Sequence, residues 1–191
     1  RQITISTAIA PISFNGMKIN LLDCPGYFDF VGDVHCALRA VECGVIVTSA
    51  KDTAETLSVG AQRSWNYLKE ANLPVMFAIS KCNEEHGDYF QALETLKGKY
   101  GSIVCPVTIP TSDGNGVIDL VHNVAYITKG AKTEKTAIPA ADADRAEELR
   151  AELMEAAAGA TEELKDKVFD PMALDEPATV EALKIGHRER A

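Results

Sequence analysis

The densest run of chemistry-bearing residue types is Asp23-Cys24-Pro25-Gly26-Tyr27, where a carboxylate, a thiol, a glycine and a phenol fall within five positions. The stretch Met17–Leu22 before it reads as a strand, and the apolar spacing of Val34, Leu38 and Val41 after it reads as a helix from about Val31 to Cys43. A carboxylate at the carboxyl end of a strand, followed by a glycine loop and a helix, is where open α/β sheets hold ligands. The same residues would also make a plain strand-to-helix turn with Asp23 as its cap, and both readings stand at this level. Cys24 has no histidine near it in sequence, so a buried structural thiol is expected there rather than a nucleophile. His35, His86, His122 and His187 show no ligand spacing with Cys24, Cys36, Cys43, Cys82 and Cys105, which argues against a metal centre built on them. The five cysteines form no CxxC pair and are odd in number, as expected of free thiols in a reducing compartment. No pair of acidic residues has the spacing of an acid–base couple, and Glu84-Glu85 reads as a solvent-facing pair.

The elements that must position these residues are legible in outline. Asn15-Gly16 is the preferred two-residue turn between antiparallel strands, because both positions need positive φ. It predicts a hairpin of Ile3–Phe14 with Met17–Asp23. Pro11 lacks a ladder donor, which places the first strand at a sheet edge or with a bulge. Strands alternate with helical patterns up to about residue 130, the grammar of an α/β sheet, here expected to be mainly parallel with the hairpin at one side. Gly130–Pro139 reads as a linker or exposed loop. Beyond Pro139 the chain is helix-forming almost throughout, with Leu149, Leu153 and Ala156 at helical spacing and Asp142 or Asp144 as the cap. Gly159 is expected to split this helix and Pro171 to end it, and a last helix is expected from Ala178 to Ile185.

The chain has 191 residues, 46% hydrophobic and 25% charged, near globular averages, so disorder, collagen and coiled-coil classes are excluded. No apolar run reaches the roughly 20 residues of a membrane span, and no membrane association is expected. The net charge of −9 argues against a basic groove for nucleic acid, so no direct DNA binding is expected. Residues 131–191 carry 15 acidic against 9 basic residues, while residues 1–130 carry 13 against 10. The acidic tail reads as a solvated amphipathic face or as a docking surface for a basic partner. The chain opens on Arg1, which suggests a piece of a longer protein.

In order and spacing the sequence resembles the translational GTPases, above all elongation factor G and its relatives. Arg1-Gln2-Ile3-Thr4-Ile5 is similar to that family's Arg-Gly-Ile-Thr-Ile, and Asp23-Cys24-Pro25-Gly26-Tyr27-Phe28-Asp29-Phe30 to its Asp-Thr-Pro-Gly-His-Val-Asp-Phe. Val45–Ala50 falls where the family has its next core strand, and Trp65 in the helix after it. Ile79-Ser80-Lys81-Cys82-Asn83 stands where the guanine-reading Asn-Lys-x-Asp belongs, with Asp88-Tyr89 matching the Asp-Phe beyond. Val107–Val121 and the acidic tail resemble the subdomain that elongation factor G inserts into its GTPase domain. The resemblance implies an incomplete P-loop-NTPase-like three-layer core over residues 1–103. An inserted α/β subdomain would occupy 104–191, mostly helical after 140. It implies GTP or GDP with Mg²⁺ as ligands, the ribosome as partner and a cytoplasmic protein of translation. Thr4 and Asp23 would hold the metal, Asp23 through water. Gly26 would bring its N–H to the γ-phosphate, and Ser80, Lys81 and Asn83 would face the base.

Departures from the pattern set further expectations. The glycine-rich phosphate loop ending in Gly-Lys-Ser/Thr is absent from this sequence, so the piece alone is expected to bind GTP weakly or not at all. The family's late Ser-Ala base-side motif is absent too. Tyr27 stands at the position of the water-orienting histidine; a phenol with a pKa near 10 is no near-neutral base, so slow hydrolysis is expected. Asn83 offers one acceptor and one donor where guanine needs two acceptors, so guanine selectivity should fall. Gln2 for glycine costs backbone freedom beside Thr4. The remaining alternatives are a non-hydrolysing nucleotide-binding or regulatory module and a ribosomal-protection relative of the tetracycline-resistance type. Ile3 and Ile5, set in a strand, are expected to be core. A sheet edge left unpaired by the missing phosphate-loop strand is expected to favour a dimer of the piece.

Overall fold

The computed structural model describes residues 3–53, 59–101, 104–158, 179–181 and 183. The chain forms two compact units, one from Arg1–Ile46 and Ser58–Ala78, the other from Val47–Leu57 and Ile79–Arg190.

The first unit opens on β1 (Ala8–Phe14) and β2 (Met17–Asp23), antiparallel from Ala8↔Asp23 to Phe14↔Met17. Their turn is the expected one, with Asn15 at φ 48° and Gly16 at φ 76°. Among the described residues, Pro11 lies on a strand paired only with β2. The first strand is shorter than expected: residues 3–7 are outside the ladder, and Ile3 and Ile5 are exposed rather than core. Along this stretch the Thr7 N–H donates to the Asp33 carboxylate at 3.0 Å. A 3₁₀ turn, Phe28–Phe30, leads into α1 (Val31–Leu38). This helix ends five residues before Cys43, where Arg39 and Ala40 donate to the carbonyls of Cys36 and Ala37 in the tight three-residue pattern that closes a helix.

Next come β3 (Gly44–Ser49), α2 (Val59–Glu70) and β4 (Val75–Ser80). β3 and β4 pair; Gly44 N–H bonds Pro74 O at one end and Ala50 N–H bonds Ser80 O at the other, and the constant sequence offset means that they run parallel. Trp65 lies in α2, as expected, and stacks on Phe77 with ring centroids 5.8 Å apart.

In the second unit α3 (Tyr89–Tyr100) is capped by Asp88, whose carboxylate accepts from the N–H groups of Phe90 and Gln91. An antiparallel meander follows: β5 (Thr108–Pro110), β6 (Gly116–Asp119), β7 (Val124–Lys129) and β8 (Lys132–Thr136). β8 corrects the reading of Gly130–Pro139 as a linker. Its register with β7 runs from Lys129↔Lys132 to Ala125↔Thr136 around a turn with Gly130 at φ 65°. The described strands therefore form three separate sheets rather than one mainly parallel sheet. Connections as short as those of the hairpin and meander can join only antiparallel neighbours.

The helix α4 (Ala143–Ala158) buries Leu149 and Leu153 against Leu93, Ile109, Ile118, Leu120 and Ala125, which form the core of this unit. Ala156 is half-buried. Asp142 is buried ahead of α4, and its carboxylate accepts the Ser112 N–H at 3.1 Å. Residues 179–181 and 183 are helical, within the expected last helix, and Val180 and Leu183 pack on the same core. Arg1-Gln2, Gly159 and Pro171 lie outside the described residues. No helix among the described residues is long and apolar enough to cross a membrane.

Candidate functional site

In the first unit the end of β2 and the segment before β1 come together because the hairpin register sets Ala8 opposite Asp23. The Thr4 hydroxyl thereby reaches the Asp23 carboxylate, Oγ1 donating to Oδ2 at 3.1 Å at an exposed position. Two residues that lie 19 positions apart in the sequence are thus one cluster of hard oxygen atoms. Such oxygens suit a hard cation that keeps water and phosphate oxygens as its other ligands. No group of three or more His, Cys, Asp or Glu side chains able to hold a metal occurs among the described residues. A site here would need ligands from elsewhere, as Mg²⁺ on a nucleotide has.

Asp33, which sequence reasoning did not single out, supports the segment that carries Thr4. From the first turn of α1 it accepts the Thr7 N–H, fixing the segment that carries Thr4. Its signal in the sequence was only an acid in a helix's first turn, which ordinarily reads as helix-dipole stabilisation. The Cys24 thiol lies beside Thr7 Oγ1, and burial, together with the charges of Asp23 and Asp33, holds its pKa above the ordinary thiol value. The thiol, expected to be buried, is half-buried.

Gly26 is exposed, a Cβ built on it would meet nothing within 4 Å, and its φ is not positive. Neither turn geometry nor internal packing asks for glycine at this position. Tyr27 is extended (φ −82°, ψ 139°) and 58% exposed, and its carbonyl accepts the Phe30 N–H. The neighbouring Phe28 ring is covered by the Arg63 guanidinium, 4.0 Å from its centroid.

In the second unit β4 delivers Ser80 and Lys81 into a closed loop. Ser80 Oγ donates to Thr48 O at 2.9 Å, so its hydroxyl is engaged with β3. Lys81 is left-handed at φ 62°. Its carbonyl accepts the Glu84 N–H, the Glu84 carbonyl accepts the Gly87 N–H, and the Asp88 N–H returns to Ala50 O at 2.8 Å. Lys51 holds Glu84 at 2.9 Å and its hydrogen bond pulls that carboxylate below its ordinary range. Cys82 donates to Ile79 O, and burial raises its thiol pKa. Asn83 is exposed, and no hydrogen bond engages its amide among the described residues.

Comparison with known proteins then bears on both loops. Residues 1–172 match the family described as the elongation factor Tu GTP binding domain. Two curated relatives, each named elongation factor G-like protein and from Mycobacterium tuberculosis strains CDC 1551 / Oshkosh and H37Rv, are 31% identical over 193 aligned residues. That alignment takes in 100% of this chain and 26% of each relative, so the chain spans about a quarter of their length. A crystal structure of a protein from Thermus thermophilus superposes with a TM-score of 0.86 at 30% identity, over 98% of this chain and 28% of that one.

Proposed function

The chain belongs to the elongation factor Tu GTP binding domain family, in its elongation factor G-like branch, and from that premise we propose that it forms part of the nucleotide switch of a translation factor. The observation that carries the proposal is the Thr4 Oγ1–Asp23 Oδ2 contact at 3.1 Å. It sets a hydroxyl and a carboxylate from two segments at one point. Mg²⁺, when bound there with GTP or GDP, would neutralise phosphate charge.

The residues present act by positioning. Thr4 and Asp23 supply oxygens, and Asp33 holds the Thr4 segment through Thr7. Gly26, asked for by neither packing nor turn geometry, leaves its N–H open to close approach by a phosphate oxygen. Lys81, Asn83 and, as a support for the loop, Ser80 belong to the base side. Loss of the terminal phosphate would release the segments around Thr4 and Gly26, the ordering change by which such a protein signals to a partner. We extend the proposal to the ribosome as that partner, to the cytoplasm as the compartment, to an incomplete three-layer nucleotide-binding core over residues 1–103, and to residues 104–191 as an inserted subdomain.

One observation favours a second reading, a switch that binds without turnover. Tyr27 offers an exposed phenol where a water-orienting imidazole is expected. Both readings are tested on the full-length protein with GDP and GTP, with and without Mg²⁺ and ribosomes. The first expects Mg²⁺-dependent binding that weakens at least tenfold in Asp23→Ala and Thr4→Ala, and phosphate release stimulated by ribosomes. Binding with no phosphate release, restored by Tyr27→His, selects the second. Binding unaffected by Asp23→Ala removes the carboxylate from the site and the proposal with it.

A further inference from the structure

Two segments meet in the first unit's site, and a different side chain holds each. Asp33 holds the one that carries Thr4, through the Thr7 N–H. Residues 26–29 are held another way. The Arg63 guanidinium, from α2, lies 4.0 Å from the centroid of the Phe28 ring. Among the described residues, no other hydrogen bond, ion pair or ring contact joins 26–29 to an element beyond the helix they lead into. Their remaining bonds are short-range, from Phe30 N–H to Tyr27 O and from Val31 N–H to Phe28 O.

The contact is one of a pair along α2. Tyr67, four residues beyond Arg63, meets the His35 ring of α1 with centroids 4.7 Å apart. Residues four apart lie on one helix face, so a single face of α2 engages both Phe28 and His35. No carboxylate pairs with Arg63 among the described residues, and its guanidinium is committed to the ring alone. Both partners are exposed, Phe28 to 48%. A cation over an exposed ring biases a conformation by about two- to fivefold, enough to hold a segment and little enough to release it.

We propose, on the reading of Gly26 given above, that Arg63 is a positioning residue of the switch. By covering Phe28 it sets the backbone of residues 26–28, which would present the Gly26 N–H to a terminal phosphate. Its effect is therefore confined to nucleotides that carry that phosphate. A guanidinium could also draw phosphate by charge alone, and Phe28→Leu separates the two routes, because it removes the ring and leaves the charge.

The test is equilibrium binding of GDP and of a non-hydrolysable GTP analogue, in Mg²⁺, to the full-length protein and its Arg63→Gln, Phe28→Leu and doubly substituted variants. The expected result is analogue binding weaker by about two- to fivefold in each variant, with GDP binding unchanged. The double variant should be no weaker than either single one, as for two residues that act as one unit. Arg63→Lys keeps a cation at the ring and should retain most of the affinity. Both side chains are exposed, so these exchanges leave the core intact. Equal weakening of both nucleotides marks a merely structural role and overturns the proposal. So does analogue binding that is unchanged in Arg63→Gln, or weakened there but not in Phe28→Leu; in either case the nucleotide site stands. Binding of neither nucleotide by the unsubstituted protein overturns the nucleotide reading itself, and this role for Arg63 with it.

Discussion

Gly87→Ala is the sharpest perturbation of the base-side loop. A Cβ at residue 87 would lie 2.6 Å from Lys81 O and 3.0 Å from Glu84 O, with Ala50 Cβ at 3.6 Å. The first two are backbone atoms, and neither can yield cheaply. Lys81 is held left-handed at φ 62°, its carbonyl accepts the Glu84 N–H, and Glu84 O accepts the Gly87 N–H itself. The carbonyl must move by several tenths of an ångström, which strains or breaks that pair of bonds. Overpacking of this kind costs about 1–3 kcal/mol. Gly98→Ala provides the internal control, because residue 98 lies inside α3 and its Cβ would meet nothing within 4 Å. There the exchange removes unfolded-chain freedom in a helix and should stabilise by roughly 0.5–1 kcal/mol. Urea denaturation of the two variants against the unsubstituted protein should therefore move midpoints in opposite directions. Nucleotide affinity should fall only in Gly87→Ala. A neutral Gly87→Ala, or a loss of stability in Gly98→Ala equal to it, would show that the packing of the Lys81–Asp88 loop is not what determines its shape.

Other outcomes follow from the same geometry. Leu153 is fully buried in the second unit's core, and Leu153→Ala should cost about 3 kcal/mol in urea denaturation. The Lys97 ammonium is pushed down by burial but raised more by hydrogen bonds to Glu152 and Glu94, for a net rise. A raised folded pKa stabilises below the unfolded value and is lost as pH climbs past it, so the stability gap between the unsubstituted protein and Lys97→Met should hold at neutral pH and shrink above about pH 10.4. The raised pKa of Cys24 keeps it a thiol, so iodoacetamide at pH 8 should modify it more slowly than the exposed Cys36 and Cys43, read by peptide mass mapping. Ile12, Phe14, Met17, Ile19 and Leu21 fall on one face of the hairpin by its register, and all are exposed. The isolated 191-residue chain should self-associate on a sizing column, and Ile12→Lys with Ile19→Glu should return it to monomer.

What the sequence disclosed and what it withheld differ by the range of the forces involved. The hairpin was legible because Asn15 and Gly16 need only their own backbone preference to form the turn. Leu149 and Leu153 were legible from helical spacing, and Trp65 in its helix from the family resemblance. β8 was not: Lys132-Thr133-Glu134-Lys135-Thr136 has no apolar alternation and is almost wholly exposed, so its strand is held by the ladder with β7 rather than by any pattern of its own. The exposure of Ile3 and Ile5 was hidden because the path of residues 3–7, which includes the Thr7 N–H bond to Asp33 across 26 positions, is not set by their own residue pattern. In the candidate site, residue types and order were readable, while the engagement of Ser80 by Thr48 and of Glu84 by Lys51 required a folded chain.

These engagements separate two kinds of residue within each loop. Asp33, Ser80, Asp88 and Glu84 make bonds that hold the chain in place, so their removal strips a partner from a donor or acceptor and perturbs shape along with any binding. Asn83 and Gly26 hold nothing in the described structure: one amide is uncommitted, and one position would admit a methyl with no contact. A substitution at these two should leave folding almost unchanged and act only on what approaches from outside. Asp88→Ala and Asn83→Ala, five residues apart in one loop, should accordingly divide. The first should lower stability in urea by the roughly 1 kcal/mol of a lost cap, and the second should leave the midpoint in place while changing the order of nucleotide affinities. If Asn83→Ala unfolds the loop as Asp88→Ala does, the amide has a structural partner, and the case for it as a reader of bases ends there.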